Sequence, residues 1–225
     1  MNVFSTEISR RNFFSQTAFF SCATVSAMNF SCADDSSRTI GLGFSLYGMK
    51  SLTIAAALRA LAEIGYDCTE LPVMPDWPGD SARLDATARK ELRDLFRQRG
   101  VRLSALMENL PALGDDAQHR ANLERLKLAA ELARELWSVA STPAAPSRRG
   151  AEPLIETILG GKPGEFDTVK EQLVSRLGDW AKIAAEAQVT VAIKAHVSNA
   201  TQRPEQLLWL LDKIASPYLK AAYDY

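Results

Sequence analysis

From about residue 40 the chain repeats one alternation. A short run of consecutive apolar residues is followed by a longer stretch with apolar side chains every third or fourth position. The short runs lie at 40–47, 68–73, 101–107, 138–144, 189–195 and 218–223. Most are apolar on successive residues rather than on alternate ones, which predicts parallel strands covered on both faces. The stretches between them predict amphipathic helices. Their stripes are Ile54, Leu58 and Leu61; Leu84, Ala88, Leu92 and Leu95; Leu123, Leu126, Ala130 and Ala133; Val169, Leu173, Trp180 and Ala184; and Leu207, Leu211 and Ile214. Gly65 and Gly100 stand where left-handed caps would end two of these helices. Asp80-Ser81 and Asp115-Asp116 read as helix-start caps, and Pro204 suits a first helical turn.

Strand–helix alternation with short connections predicts an α/β fold with a parallel sheet. An open doubly wound sheet and a closed barrel both satisfy it. No Gly-x-Gly-x-x-Gly follows the first strand, and Gly41-Leu42-Gly43 lies inside it, so no dinucleotide site is expected. The longest insertion, about 146–165, is expected to follow the fourth strand, on the side where barrel enzymes build their sites. The barrel is the favoured reading.

Residues 1–33 break the pattern. Arg10-Arg11 precedes a stretch rich in Phe, Ser, Ala and Thr, and no acidic residue occurs between Glu7 and Asp34. This predicts a twin-arginine-type export signal and a periplasmic or cell-envelope location. Setting it aside removes Arg10, Arg11 and Glu7 from 26 basic and 27 acidic residues, so the body carries a net −2 charge. That charge gives no reason to expect a nucleic-acid partner. Of three cysteines only Cys68 is left in the body, which excludes a disulfide framework. No run of apolar residues is long enough for a stable membrane span.

Several segments resemble the sugar phosphate isomerase/epimerase family of the xylose isomerase-like TIM barrel superfamily. They are Ile40-Gly-Leu-Gly-Phe-Ser-Leu-Tyr47, Gly65-Tyr-Asp-x-x-Glu70-Leu, Gly100-Val-Arg-Leu-Ser-Ala-Leu106, Val189-Thr-Val-Ala-Ile-Lys-Ala-His196, Thr201-x-x-Pro-Glu205 and Ser216-Pro-Tyr-Leu-Lys-Ala-Ala-Tyr-Asp-Tyr225. Their order and spacing are more specific than any one of them. The resemblance implies an eight-unit (β/α) barrel, of which residues 38–225 would supply about six units, so that this form is expected to be truncated and inactive. It implies isomerase or epimerase chemistry on a small carbohydrate, with a divalent Mn or Mg at the C-terminal ends of the strands. Asp224 falls at one metal-ligand position. Lys194 stands where the family usually has a glutamate ligand, and the later ligands would lie past Tyr225; both weigh against the metal.

Isomerisation next to a carbonyl needs an acid/base group and a positive charge for the enediolate oxygens. An ammonium cannot ligate a metal but can itself polarise a carbonyl, which makes Lys194 a candidate catalytic residue. His196, two positions on, is a second, and Glu108, closing the third strand, a third. Glu70, Tyr47 and Arg148 are candidates for substrate binding, and Trp77 and Tyr223 could stack on a sugar face. Arg148-Arg149 and Gly160-Gly-Lys-Pro-Gly164 are expected in a solvated loop, and His119 on the surface. The alternative function is carbohydrate binding without catalysis, Lys194 marking a lost metal site.

Overall fold

The structure, a computed structural model, describes residues 41–140 and 153–223. The export signal, Arg148 and Asp224 lie outside the described residues.

Among the described residues, six strands alternate with five helices. They are β1 (Gly43–Ser45), α1 (Ile54–Ile64), β2 (Cys68–Pro72), α2 (Ala86–Arg99), β3 (Arg102–Met107), α3 (Asp116–Ala140), β4 (Leu154–Thr157), α4 (Phe166–Ala187), β5 (Thr190–Lys194), α5 (Pro204–Ile214) and β6 (Leu219–Ala222). A short 3-10 turn, Leu46–Met49, follows β1. The strands form one sheet in chain order, and every neighbouring pair is parallel. Successive helices pack on one another. This is the α/β barrel architecture, and among the described residues β1 and β6 are not paired, so the barrel is not closed.

The core lies between sheet and helices. Thr69, Leu71, Leu106, Ile155, Val191 and Ile193 are buried on the helix side of the strands. Leu58 and Leu61 of α1, Leu126 and Ala133 of α3, and Leu173, Leu177 and Trp180 of α4 close over them, all completely buried. Burial of a large apolar side chain contributes about 1.5–3 kcal/mol, so this layer dominates the fold. The opposite face of the strands carries the alternate residues, among them Glu70, Glu156 and Lys194, all partly exposed.

The caps follow the expected chemistry in most places. Gly65 and Gly100 end α1 and α2 in the left-handed region, with φ of 96° and 67°. Pro204 opens α5, and Asp115 Oδ1 accepts the Gln118 amide at 2.8 Å at the start of α3. Asp80 does not cap a helix: α2 starts later, and its cap is Asp85, which accepts the Ala88 amide at 2.8 Å.

One strand is displaced from its expected position. Residues 138–140, expected in the fourth strand, are the last turn of α3, because the apolar spacing of Leu126, Ala130 and Ala133 continues through Leu136 and keeps the backbone helical. The fourth strand is Leu154–Thr157, inside the stretch expected to be a loop. The loop that follows it is exposed from Gly161 onward as expected, with Gly160 half-buried. Gly160 and Gly161 adopt positive φ, Gly160 O accepts the Ala200 amide at 3.0 Å, and a Cβ on Gly161 would lie 2.8 Å from the Ala200 Cβ. His119 is not on the surface. It is 8% exposed, its Nε2 3.1 Å from Asp179 Oδ2, because the start of α3 packs against α4.

The glycine contacts give a paired test. Gly161→Ala and Gly164→Ala both put a side chain at positive φ, but only the first meets packed atoms. Chemical denaturation is expected to show a loss of about 1 kcal/mol for Gly164→Ala and at least about 1 kcal/mol more for Gly161→Ala. Equal losses would contradict this packing.

Candidate functional site

Four side chains from four strands converge on the inner face of the sheet. Ser45 ends β1, Glu70 is the third residue of β2, Glu156 the third of β4, and Lys194 the last of β5. The register brings them together. Ser45 pairs with Glu70, Glu70 with Ala105, Met107 with Glu156, and Glu156 with Ala192. Strand residues two apart share a face, so Lys194 lies diagonally beside Glu156, within reach of a long side chain. Glu70 and Glu156 meet across β3, where the partner of Glu70 is the short Ala105.

The contacts form a chain. The Ser45 hydroxyl donates to Glu70 Oε2 at 2.6 Å. Glu70 lies near enough to Glu156 for the second carboxyl to raise its pKa, and Lys194 Nζ lies 2.5 Å from Glu156 Oε1, with 16% of the lysine and 18% of the glutamate side chain exposed. Two carboxylates this close do not both ionise readily in a partly dry site. Burial pushes the Glu70 carboxyl up to about 7, helped by the hydrogen bond and charge of Glu156 and opposed by Ser45 and Lys194. The arrangement supplies a proton donor/acceptor titrating near neutrality, a carboxylate and an ammonium within one small volume.

Glu108 is elsewhere. Its side chain is fully buried, and Oε2 accepts from Arg125 Nη2 at 2.6 Å and Nε at 3.1 Å. Arg125, on α3, also donates to the Val73 carbonyl at 2.8 Å and lies 3.3 Å from Asp80 Oδ1. Burial raises the Glu108 carboxyl above its ordinary range, against the pull of Arg125 and the Asn109 amide. These contacts tie the ends of β2 and β3 to a helix, and the Glu108 carboxylate is taken up in them. His196 stands past the end of β5, where its Nδ1 is 2.8 Å from the Ser198 hydroxyl of its own turn. Tyr47, 55% exposed, stacks on Trp77 with ring centroids 5.0 Å apart, and Lys50 Nζ lies 4.8 Å from the Trp77 ring. Tyr223 is 81% exposed just past β6. The structure therefore joins the expected Glu70 and Lys194 to Ser45 and Glu156, which the sequence reading missed. The alternation in Leu154-Ile-Glu-Thr157 was the available signal, obscured because 138–144 had been given the strand.

The sequence model of the xylose isomerase-like TIM barrel matches residues 58–225. The chain belongs to that family. No curated protein matches its sequence. Among solved structures, an IOLI protein with a bound zinc atom superposes with a TM-score of 0.63 at 15% identity, covering 81% of this chain and 62% of that one. A probable 3-DHS dehydratase, AsbF, from Bacillus anthracis gives 0.61 at 17% identity, with 81% and 62% covered. A D-allulose 3-epimerase from a Methylomonas species, in complex with D-allulose, gives 0.57 at 16% identity, with 81% and 61% covered. These similarities concern the fold, and the chain spans about 62% of the length of the first two.

A divalent metal of the kind one neighbour holds does not fit the described cluster. Two carboxyl groups converge there, but one takes up a proton near neutrality and the other is paired with an ammonium at 2.5 Å. Among the described residues no three His, Cys, Asp or Glu side chains are grouped to hold a metal.

Two outcomes follow. The folded-state pKa of Glu70, about 7, lies above its ordinary 4.5, so the folded protein binds the proton more tightly. Its stabilising effect is complete below about pH 4.5 and is lost as pH rises through 7. Glu70→Gln is expected to flatten the fall in stability over that interval, on the order of 3 kcal/mol for one uncoupled group, in denaturation at stepped pH. Arg125→Met would leave Glu108 buried and unpaired and is expected to cost about 3–5 kcal/mol. Adding Glu108→Gln should recover part of that loss.

Proposed function

We propose that this protein transfers a proton at the carbon next to a carbonyl in a small carbohydrate, as an isomerase or epimerase does. The single observation that carries the reading is the Glu70 carboxyl, raised to about 7, in one cluster with the Lys194 ammonium. A general acid/base works best with a pKa near the working pH, and a preorganised cation stabilises the oxyanion that proton removal creates. The family and an epimerase neighbour crystallised with D-allulose support the substrate class.

In this reading ionised Glu70 takes the proton from the carbon beside the carbonyl. The electron pair moves to the carbonyl oxygen, which accepts a hydrogen bond from Lys194 Nζ. Neutral Glu70 then returns the proton to the former carbonyl carbon for isomerisation, while the proton of the neighbouring hydroxyl passes to the first oxygen as that hydroxyl becomes the new carbonyl. Epimerisation needs return to the opposite face of the same carbon. Glu156 holds Lys194 in place. The Tyr47–Trp77 stack offers an apolar surface for a sugar ring. Export through the Arg10-Arg11 signal is part of the same proposal and rests on the sequence pattern.

A second reading, sugar binding without turnover, draws on that same half-exposed stack. Proton exchange separates the two. The protein incubated with a ketose in D2O is expected to introduce deuterium at the carbon beside the carbonyl, followed by NMR. Glu70→Gln should lower the exchange rate by about 10²–10⁴-fold, and the wild-type rate should rise with pH through about 7. Binding without exchange would favour the second reading.

A further inference from the structure

We infer that the Lys194 ammonium is the resident cation of this site, so that the cluster excludes a divalent metal and becomes able to bind one once that ammonium is removed. The inference deepens the proton-transfer reading and rests on it for the role of the cluster. Its physical basis is charge balance at close range. Glu70 and Glu156 come from strands on either side of β3 and face the same side of the sheet, and burial with the neighbouring Glu156 favours the protonated form of Glu70. The remaining negative charge lies on the pair that Lys194 contacts, with Nζ 2.5 Å from Glu156 Oε1. With Glu70 protonated, the Lys194 ammonium and the Glu156 carboxylate balance, so among the described side chains of the cluster no uncompensated charge remains to attract a metal ion.

Geometry points the same way. A divalent ion bound to Glu156 would need an oxygen at about 2.0–2.2 Å, on the side where the ammonium already sits. It would also face a like charge only a few ångströms away, in a site where both side chains are less than one-fifth exposed and screening is weak. Removing the ammonium reverses both conditions. Two carboxylates would then face each other without a cation, and a glutamate at 194 would add a third from the adjoining strand.

Calorimetric titration of the full chain with Mn²⁺ alone, after chelator treatment, tests this without any turnover. Wild type is expected to show no saturable binding of one ion per chain at this cluster. Lys194→Glu and Lys194→Gln are expected to bind Mn²⁺ at least about tenfold more tightly than wild type, and the gain should disappear when Glu156→Gln is added. If the glutamate variant does not fold, the neutral glutamine variant carries the test. One Mn²⁺ per wild-type chain, lost in Glu156→Gln, would overturn the inference, as would a folded Lys194→Gln with no gain. A metal-free wild type that exchanges no substrate protons would count against the proton-transfer reading while leaving this result intact.

Discussion

Glu70 and Glu156 face each other on the inner side of a sheet whose other side is sealed by helices. Like charges placed together with little water around them are unfavourable unless a proton or a cation intervenes. Here both do: Glu70 takes up a proton well above the ordinary carboxyl range, and Lys194 pairs with Glu156 at 2.5 Å. The same constraint explains why Ser45 is a hydroxyl residue. Its donor satisfies the Glu70 oxygen turned toward β1, which would otherwise lack a partner in a partly buried position.

The cluster depends on the sheet register, and the register depends on the core. A one-residue slip of a strand exchanges its two faces. In β4 that slip would drive Glu156 into the layer of Leu126 and Trp180 and turn Ile155, now fully buried, toward the cluster. The helix layer is thus what keeps the carboxylates on the inner face. A second polar network, on the helix side, has a different task. Arg125 gathers Glu108, Asp80 and the Val73 carbonyl into one buried knot that holds the C-terminal ends of β2 and β3. Two glutamates near neighbouring strand ends thereby serve opposite ends: Glu70 is left with a proton to move, and Glu108 is locked by a guanidinium.

The repeat was readable because burial on both faces leaves consecutive apolar residues in strands and a 3.6-residue period in helices. Five of the six strands sit where that pattern places them, and Gly65, Gly100 and Pro204 mark ends as their backbone chemistry requires. The fourth strand was hidden because Ser138-Val-Ala has strand-like composition while Leu154-Ile-Glu-Thr157 is short and half polar. The site suffered from that one error. Lys194 and Glu70 were legible as strand residues with candidate chemistry, but the ion pair that gives Lys194 its meaning involves Glu156, on the displaced fourth strand. Burial of His119 and capture of Glu108 by Arg125 are products of helix packing across long sequence separations, which local pattern does not carry.

Two carboxyl groups and one ammonium act as a single unit on the inner face of the sheet. Carbon-13 NMR of the glutamate side-chain carboxyl groups, assigned through Glu70→Gln and Glu156→Gln and followed over pH, tests it most directly. Glu70 is expected to titrate with a midpoint near 7, and that midpoint is expected to move higher in Lys194→Gln. A Glu70 midpoint at the ordinary 4.5, unchanged in Lys194→Gln, would contradict it.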